Sequence, residues 1–341
     1  MFQLYIYMSK PSVHLIIPGI LDSLGKLEKP SEFKSLQLLL SRSDKILTEI
    51  SGYYPLIANQ FNLADIDQQT LPVAAVSYYA ETGKQDSLYR MHFDLVHIQA
   101  DKDRLILQGH QILSVLENEK EDLLAELNKT YQEDQFTFES HDSQHGYLTL
   151  AQKPDCSFHL LEDVLGRSVE PFLPQGKDKL FWHRFLNEVQ MLFHASPVNQ
   201  VRLESNQLPV NSIWCWGNGP LPESVSSQWS TVLSNNLFAR GLAELSGAKT
   251  KELPEQATTL LTNITEGNTL LVFDQDERDI LSLDHEYHQQ RLEKFEKNWF
   301  IPLLQGLKQG RLDSITLSDT TGKTFHLKKI HLKRFWRKQY S

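Results

Sequence analysis

Residues 161–222 read LEDVLGRSVEPFLPQGKDKLFWHRFLNEVQMLFHASPVNQVRLESNQLPVNSIWCWGNGPLP. Residues 181–194 have apolar side chains at helical spacing, and the loop before them is rich in Pro and Gly, which predicts a helix with a defined start. The stretch closes on a Trp-x-Trp-Gly-x-Gly segment, where glycines let backbone amides approach a neighbouring group closely. This order of helix, turn and glycine-rich loop indicates a packed α/β region.

Polar side chains in the second half of this stretch form a candidate anion-binding set. Asn199 and Arg202 are three residues apart and share one face if the segment is helical. An arginine fork matches carboxylate or phosphate, and Asn211 adds a donor and an acceptor beside the glycines. The alternative is structural: the two asparagines cap turns, Arg202 pairs with Glu188 or Glu204, and both tryptophans pack the core.

Upstream of this stretch, the pattern changes near Leu88. Residues 89–98 alternate like a strand and are followed by a short hairpin mate. A helix is predicted from Ser114 onward, because Ser114 and Glu117 have the spacing of a capping box. Two further short strands follow. These elements form an α+β unit with mainly antiparallel pairing, which predicts an inserted domain over residues 89–205.

The flanking segments alternate strands with helices, as in a doubly wound α/β sheet. Residues 13–17 are a short apolar run closed by Pro-Gly, which is typical of a buried central strand. The other predicted elements are helices at 36–50, 232–245 and 287–304, an apolar element at 72–79, a strand at 269–273, and a hairpin of 314–317 with 325–330. The predicted fold is an α/β core of residues 1–88 and 206–341 with residues 89–205 inserted.

Composition narrows the classes of protein. The 341 residues carry a formal charge of -9, which argues against a nucleic-acid coat or an anionic membrane as partner, although a local basic patch is compatible with it. Two cysteines cannot build a disulfide framework. The N-terminus lacks the basic start of a signal peptide, and no apolar run is long enough to span a bilayer. We therefore expect a cytoplasmic protein.

The C-terminus, HLKKIHLKRFWRKQYS, is basic against this acidic whole. Lysines and arginines interleaved with aromatic residues could grip nucleic acid. The other interpretation is an edge strand guarded by lysines with a trailing tail. The second is favoured, so nucleic acid is not an expected partner.

The quoted stretch resembles the archaeal-type cofactor-independent phosphoglycerate mutases over about 60 residues. The resemblance implies an alkaline-phosphatase-like fold and a site for a phosphorylated three-carbon acid. Residues that match the family's motifs are Asp163, Gly166, Leu173, Pro174, Gly176, Pro197, Val198, Asn199, Arg202, Pro209, Asn211, Ile213, Trp214, Trp216, Gly217 and Gly219.

A second resemblance is to a bacterial group of RpfE-type regulatory proteins. Their DPVHL-x-AD motif is matched by Asp94, Val96, His97, Ala100 and Asp101. Together the two resemblances imply a ligand-binding set of Asn199, Arg202, Asn211, Trp214, Gly217, Gly219, Asp94 and His97.

The mutases' two-metal centre is not matched. Where their first strand ends in an aspartate, this chain has Pro18-Gly19, and the family's late histidines are missing near Ile280 and Asp319. Aspartates and histidines at Asp274, Asp276, His285 and His288 could hold a metal or could simply form an acidic helix start.

The expected function is therefore a degenerate mutase-like protein, non-catalytic or regulatory, that binds a phosphorylated small molecule or a protein partner. No cofactor is expected. The alternative is an active, metal-dependent mutase or phosphatase with relocated ligands.

Overall fold

The computed structural model describes residues 10–63, 67–141, 145–264, 266–338 and 340. The sequence expectation for residues 1–9 lies outside this range. The strands are β1 Ser12–Ile16, β2 Asp44–Leu47, β3 Tyr89–Asp101, β4 Arg104–Gln108, β5 Thr137–Glu139, β6 Gly146–Leu150, β7 Cys156–Ser157, β8 Gln175–Gly176, β9 Ser212–Gly219, β10 Thr231–Ser234, β11 Lys249–Lys251, β12 Asn268–Val272, β13 Ser314–Ser318 and β14 Lys323–Lys328.

Helices connect most of these strands. They are α1 Ile20–Gly25, α2 Lys34–Arg42, α3 Tyr53–Asn59, α4 Val73–Thr82, α5 His110–Leu113, α6 Glu117–Thr130, α7 Leu161–Val164, α8 Lys179–His194, α9 Pro197–Glu204, α10 Leu237–Leu245, α11 Ala257–Asn263, α12 Glu277–Leu281, α13 His285–Phe295 and α14 Ile301–Gln309. A π-helical turn, Glu296–Phe300, joins the last two.

The chain forms two compact units, residues 1–64 with 224–341 (the core unit) and residues 65–223 (the inserted unit). The inserted unit is wider than the predicted 89–205. Its extra parts are α4 and β9, which contact each other and β3. The glycine-rich stretch was assigned to the core from sequence, but as β9 it is a strand of the inserted unit.

The core unit contains a seven-stranded mixed sheet in the order β11-β10-β12-β1-β13-β14-β2. β1 pairs in parallel with both β12 and β13, so its two edges are covered. Val13 and Leu15 enter the main hydrophobic cluster with α2 and α14. Full burial of each such side chain contributes about 1.5–3 kcal/mol. The α/β fold-class prediction is confirmed.

The long C-terminal helix passes through Pro302 instead of ending there. Proline lacks an N–H and clashes with a regular helix, so it normally kinks or stops one. Here the turn before it is widened to π geometry, and Ile301 N–H bonds to the carbonyl of Glu296. The helical path therefore continues to Gln309, beyond the predicted end at residue 304.

The inserted unit is built on an antiparallel sheet of β4-β3-β6-β5, with β9 paired to β3. One face packs on α6 and α8 through Met91, Phe93 and Phe185. The opposite face meets α4, where Ala74 and Tyr78 contact Tyr147. The alternation of apolar and polar residues along β3 is thus used on both faces.

Candidate functional site

The carboxyl ends of three parallel core strands lie level with one another. Ile16 is the register partner of both Val272 and Ser318, the last residues of β12 and β13. Open α/β sheets place their ligands at this edge. Asp319 follows β13 and Asp274 lies just beyond β12, whereas β1 continues into Ile-Pro-Gly with no carboxylate.

Asp319 is a buried carboxylate at this edge, with 1% of its surface exposed. Its Oδ2 accepts a hydrogen bond from the Thr321 hydroxyl at 3.1 Å, and its Oδ1 has no partner in the described part of the chain. Burial, followed by the charge of Asp22, raises the pKa of Asp319 to about 6. The side chain is therefore partly protonated near neutral pH and is a weak cation ligand by itself.

Replacing Asp319 with asparagine is expected to stabilise the protein at alkaline pH. The folded pKa is raised above the unfolded one, so the wild type loses stability as pH rises from about 4 through 6, by up to ~3 kcal/mol. The amide of the D319N variant does not ionise and avoids that loss. Urea unfolding at pH 8 and pH 4.5 should show a gain only at pH 8; equal gains at both values would contradict the burial of a charged Asp319.

An arginine occupies the space between the ends of β1 and α12. Arg291 forms an ion pair with Asp279, with Nε–Oδ1 2.7 Å and Nη2–Oδ2 3.2 Å. The same guanidinium donates to the Pro18 carbonyl at 2.5 Å and to the Ser23 hydroxyl at 3.0 Å. The Tyr287 hydroxyl completes the shell of Asp279 at 2.7 Å. A cation supplied by the protein itself thus neutralises the buried acid of this edge.

The four residues predicted as metal ligands have separate surroundings in the structure. Asp276 caps α12 by accepting from Arg278 N–H, and it also pairs with the Arg278 side chain. His288 is fully buried against the Ser23 hydroxyl (3.0 Å), and its Nε2 lies 3.2 Å from Lys26 Nζ. His285 and Asp274 are exposed.

These residues do not fit the two-metal centre that the mutase resemblance implies. In the described part of the chain, no group of three or more His, Cys, Asp or Glu side chains is placed to hold a metal ion. Lys26 lies beside His288, one of the predicted ligands, and Arg291 forms an ion pair with Asp279, the buried acid near β1. Binuclear sites need several acids and histidines that converge on one point.

A second polar cluster lies on the α4 face of the inserted unit. Asp94 accepts from His145 Nδ1 at 2.7 Å and from the Trp216 indole N–H at 2.6 Å. Burial alone would raise the pKa of Asp94, but the charge and hydrogen bond of His145 and the Trp216 bond outweigh it, so the pKa is lowered. The His145 side chain is 19% exposed.

His92 lies at the back of this cluster, between Tyr147 and Trp216, with ring centroids 4.9 Å from each. It is 2% exposed, and its Nδ1 lies 3.1 Å from the Gly146 carbonyl. Burial, followed by the charge of His145, lowers the pKa of His92 to about 3. His92 therefore stays neutral and packs as an aromatic ring.

This buried histidine predicts acid lability. Below pH 6.5 the unfolded chain binds a proton that folded His92 cannot accept, so stability falls as pH falls, by about 2 kcal/mol between pH 7.5 and 5. Replacing His92 with Phe should reduce the pH-dependent loss by that amount, whereas His285→Ala, at an exposed position, should not. Urea unfolding across this range decides it; parallel curves for wild type and H92F would contradict the prediction.

Asn199 and Arg202 are internal supports of the inserted unit. Arg202 is 1% exposed, and its three nitrogens donate to Glu119 at 2.6 Å and to the carbonyls of Leu113 and Leu208 at 2.5 and 2.8 Å. Asn199 donates to two carbonyls and accepts the Val210 N–H. The polar atoms of these two residues are engaged in buried protein contacts, which favours the structural alternative, and anion binding by them stays a prediction.

The other predicted ligand residues also have local structural roles. Asn211 exchanges two hydrogen bonds with the backbone of Ile98 and extends the β3–β9 pairing. His97 Nδ1 lies 2.8 Å from the Pro209 carbonyl, and the Trp214 indole donates to the His159 carbonyl at 3.1 Å.

The two glycines of the motif permit close packing. A Cβ on Gly219 would lie 2.5 Å from the Thr70 carbonyl oxygen, and one on Gly217 would lie 3.0 Å from Val73 Cβ. Gly217 also has a φ of 67°, which disfavours other residues. These glycines therefore bring β9 against the segment that leads into α4, a role that needs no bound anion.

Among the predicted ligand residues, the structure joins Asp94 to Trp216, which the sequence analysis matched only as a motif residue, and to His145, which sequence reasoning missed. The alternation of His92 and Asp94 along β3 was a usable signal for a polar face. His145 carried no such signal, because its approach depends on the pairing of β3 with β6.

Comparisons with known proteins bear on this arrangement. The probable 2,3-bisphosphoglycerate-independent phosphoglycerate mutase of Geobacter sulfurreducens is 25% identical over 157 residues, which is 46% of this chain and 39% of that protein. The corresponding mutase of Methanosarcina mazei is 36% identical over 61 residues, 18% of this chain and 15% of that protein. No protein-family model matches.

Two solved structures are also similar. The PH0037 protein from Pyrococcus horikoshii is matched with a TM-score of 0.52 and 10% identity over 95% of this chain and 88% of that one, which shows a shared fold. A cofactor-independent phosphoglycerate mutase from Thermoplasma acidophilum is matched with a TM-score of 0.40 and 14% identity, over 94% of this chain and 90% of that one.

The sequence relatives are thus cofactor-independent phosphoglycerate mutases, and the chain spans well under half the length of those it matches. Across the described ranges, no helix has the length and apolarity needed to cross a membrane.

Proposed function

We propose that this chain is a phosphoglycerate-mutase-like protein that lacks two-metal phosphoryl transfer and acts as a binding or regulatory protein. The observation that carries the proposal is Arg291, whose guanidinium lies between Asp279 and the Pro18 carbonyl at the strand-end edge. A divalent ion beside Asp279 would meet an adjacent positive charge and a carboxylate whose oxygens already accept other hydrogen bonds. The resemblance to RpfE-type regulatory proteins supports the same interpretation.

The ligand we propose is a phosphorylated small molecule or a protein partner that contacts His145 in the inserted unit. The Asp94 carboxylate lies 2.7 Å from His145 Nδ1 and so fixes the orientation of the ring. A protonated imidazole donates a charge-assisted hydrogen bond to phosphate oxygens. This support comes from the geometry of Asp94 and His145 and from the relatives, which are named as phosphoglycerate mutases.

A coupled mutase assay with manganese, zinc or magnesium tests the catalytic half of the proposal. We expect no turnover from folded protein with any of the three ions. Metal-dependent conversion of 3-phosphoglycerate would establish the active enzyme instead.

Thermal unfolding with 3-phosphoglycerate tests the binding half. The wild type should be stabilised, His145→Gln should lose the shift, and His194→Ala, exposed on the same unit, should keep it. A shift in melting temperature that survives in H145Q would show that the ligand binds elsewhere. If 3-phosphoglycerate causes no shift in the wild type, the proposed ligand is the protein partner, and binding assays with the same two variants test it.

A further inference from the structure

The last segment of the chain has a charge opposite to that of the whole. The protein carries a formal charge of -9, yet residues 320–341 contain no Asp or Glu. The basic residues of this segment are Lys323, Lys328, Lys329, Lys333, Arg334, Arg337 and Lys338. Because fields from distant charges are screened over about 8 Å at physiological salt, this segment acts as a local cationic surface.

The two arginines of this segment bond to residues 42–44. Arg334 Nη1 pairs with Asp44 at 2.6 Å and also donates to the Arg42 carbonyl. Arg337 donates to the Ser43 carbonyl, and His331 lies 3.5 Å from Asp44. Backbone hydrogen bonds within residues 331–337 also stabilise the turn. The segment is therefore held on the end of α2 and the start of β2 instead of trailing free.

The aromatic side chains of the same turn point outward. Phe335 is 80% exposed and Trp336 68%, between the two anchored arginines, and Ile330 is 69% exposed. Lys329, Lys333 and Lys338 are exposed as well. Large aromatic side chains in solvent, next to arginines that are engaged in protein contacts, are unusual for a surface turn.

We propose that this turn docks the protein on an anionic lipid surface, with Phe335 and Trp336 entering the interface and the three lysines contacting headgroup phosphates. Tryptophan and phenylalanine beside lysines are the composition of interfacial anchors. The backbone on both sides of the two rings is already held by the contacts of Arg334 and Arg337, which reduces the ordering required on binding.

The ring geometry favours a lipid surface over a single-stranded nucleic acid. Phe335 and Trp336 meet edge to face, with centroids 5.4 Å apart and planes at 79°. Successive stacked bases need roughly parallel ring faces, which this pair does not offer. Binding to a lipid surface requires only exposed apolar side chains with positively charged side chains around them. The proposal is independent of the function assigned to the strand-end edge.

Sedimentation with vesicles tests it on the full chain. Vesicles of equal parts phosphatidylcholine and phosphatidylglycerol should bind the protein roughly a hundredfold more strongly than phosphatidylcholine alone, from about fivefold for each of three lysines. Binding should weaken at high salt. The double variant Phe335→Ser with Trp336→Ser should partition at least about tenfold less.

Leu283→Ser is the matched control, because Leu283 is 83% exposed on the same unit outside this turn. It should bind vesicles like the wild type. Equal partition of the wild type onto anionic and neutral vesicles, or equal loss in the control and the double variant, would overturn the proposal. So would displacement from vesicles by polyuridylate at stoichiometric amounts, which would assign the turn to nucleic acid.

Discussion

Replacing Arg291 with Met is expected to lower the free energy of unfolding by about 3–5 kcal/mol, the cost of leaving a buried carboxylate without its partner. Asp279 is 5% exposed and would keep only the Tyr287 hydroxyl and a backbone N–H. The Pro18 carbonyl would also lose its donor. Urea unfolding at neutral pH measures the loss.

Two comparisons make the Arg291 result specific. Arg278→Ala removes an exposed pair with Asp276 and should cost less than about 1 kcal/mol. Adding Asp279→Asn to R291M should recover part of the loss, because the uncompensated charge is gone. An R291M loss no larger than that of the control, or full restoration of R291M by manganese, would show that the edge is a metal site after all.

Replacing Arg202 with Met is expected to cost about 3–5 kcal/mol for the same reason in the inserted unit. Glu119, whose side chain is 11% exposed, would lose its ion partner, and two carbonyls would lose donors. Because Glu119 also accepts the Leu116 N–H at the start of α6, the disturbance should reach that helix.

The matched control for Arg202 is Arg184→Ala, which removes an exposed pair with Glu188 on α8 and should change stability little. Arg202→Lys keeps the charge but loses the fork and should fall between the two. If Arg202 instead bound an anion, R202M would unfold like wild type and fail to respond to 3-phosphoglycerate. That outcome would confirm the anion-binding prediction made from sequence.

The α/β class and the C-terminal hairpin were predictable from sequence, because a strong periodicity of apolar residues indicates the same element whatever the tertiary surroundings. Sequence reasoning missed places where one apolar run spans two elements. Residues 36–50 were predicted as one helix, but α2 ends at Arg42, and residues 44–47 form the edge strand β2, paired with β14. Residues 232–245 likewise divide into β10 and α10, with Asn236 capping the helix.

The helix cap was predicted two residues too early for a related reason. Ser114 and Glu117 have the right spacing, but Ser114 has a φ of 47° and ends α5. The reciprocal bond at the start of α6 is made by Glu119 to the Leu116 N–H. Residue spacing alone does not show which of two adjacent helix starts the backbone will use.

The candidate site was harder to predict than the fold. Arg202 and Asn199 are residue types that bind anions on a surface and hold loops when buried, and only tertiary structure separates these uses. The Asp279–Arg291 ion pair joins two helices across a short loop, so no local sequence pattern predicts it. Asp94 was selected by resemblance alone, and its partner His145 lies 51 residues away.

Arg291 contacts Asp279 and the Pro18 carbonyl at the strand-end edge, and we propose that this edge does not hold a pair of divalent ions. Metal analysis of the purified chain, after equilibration with manganese and zinc and removal of free ions, tests this assignment most directly. We predict far less than one tightly bound ion per chain, both in the wild type and in Asp319→Asn. Two ions retained per wild-type chain, and lost in D319N, would contradict it.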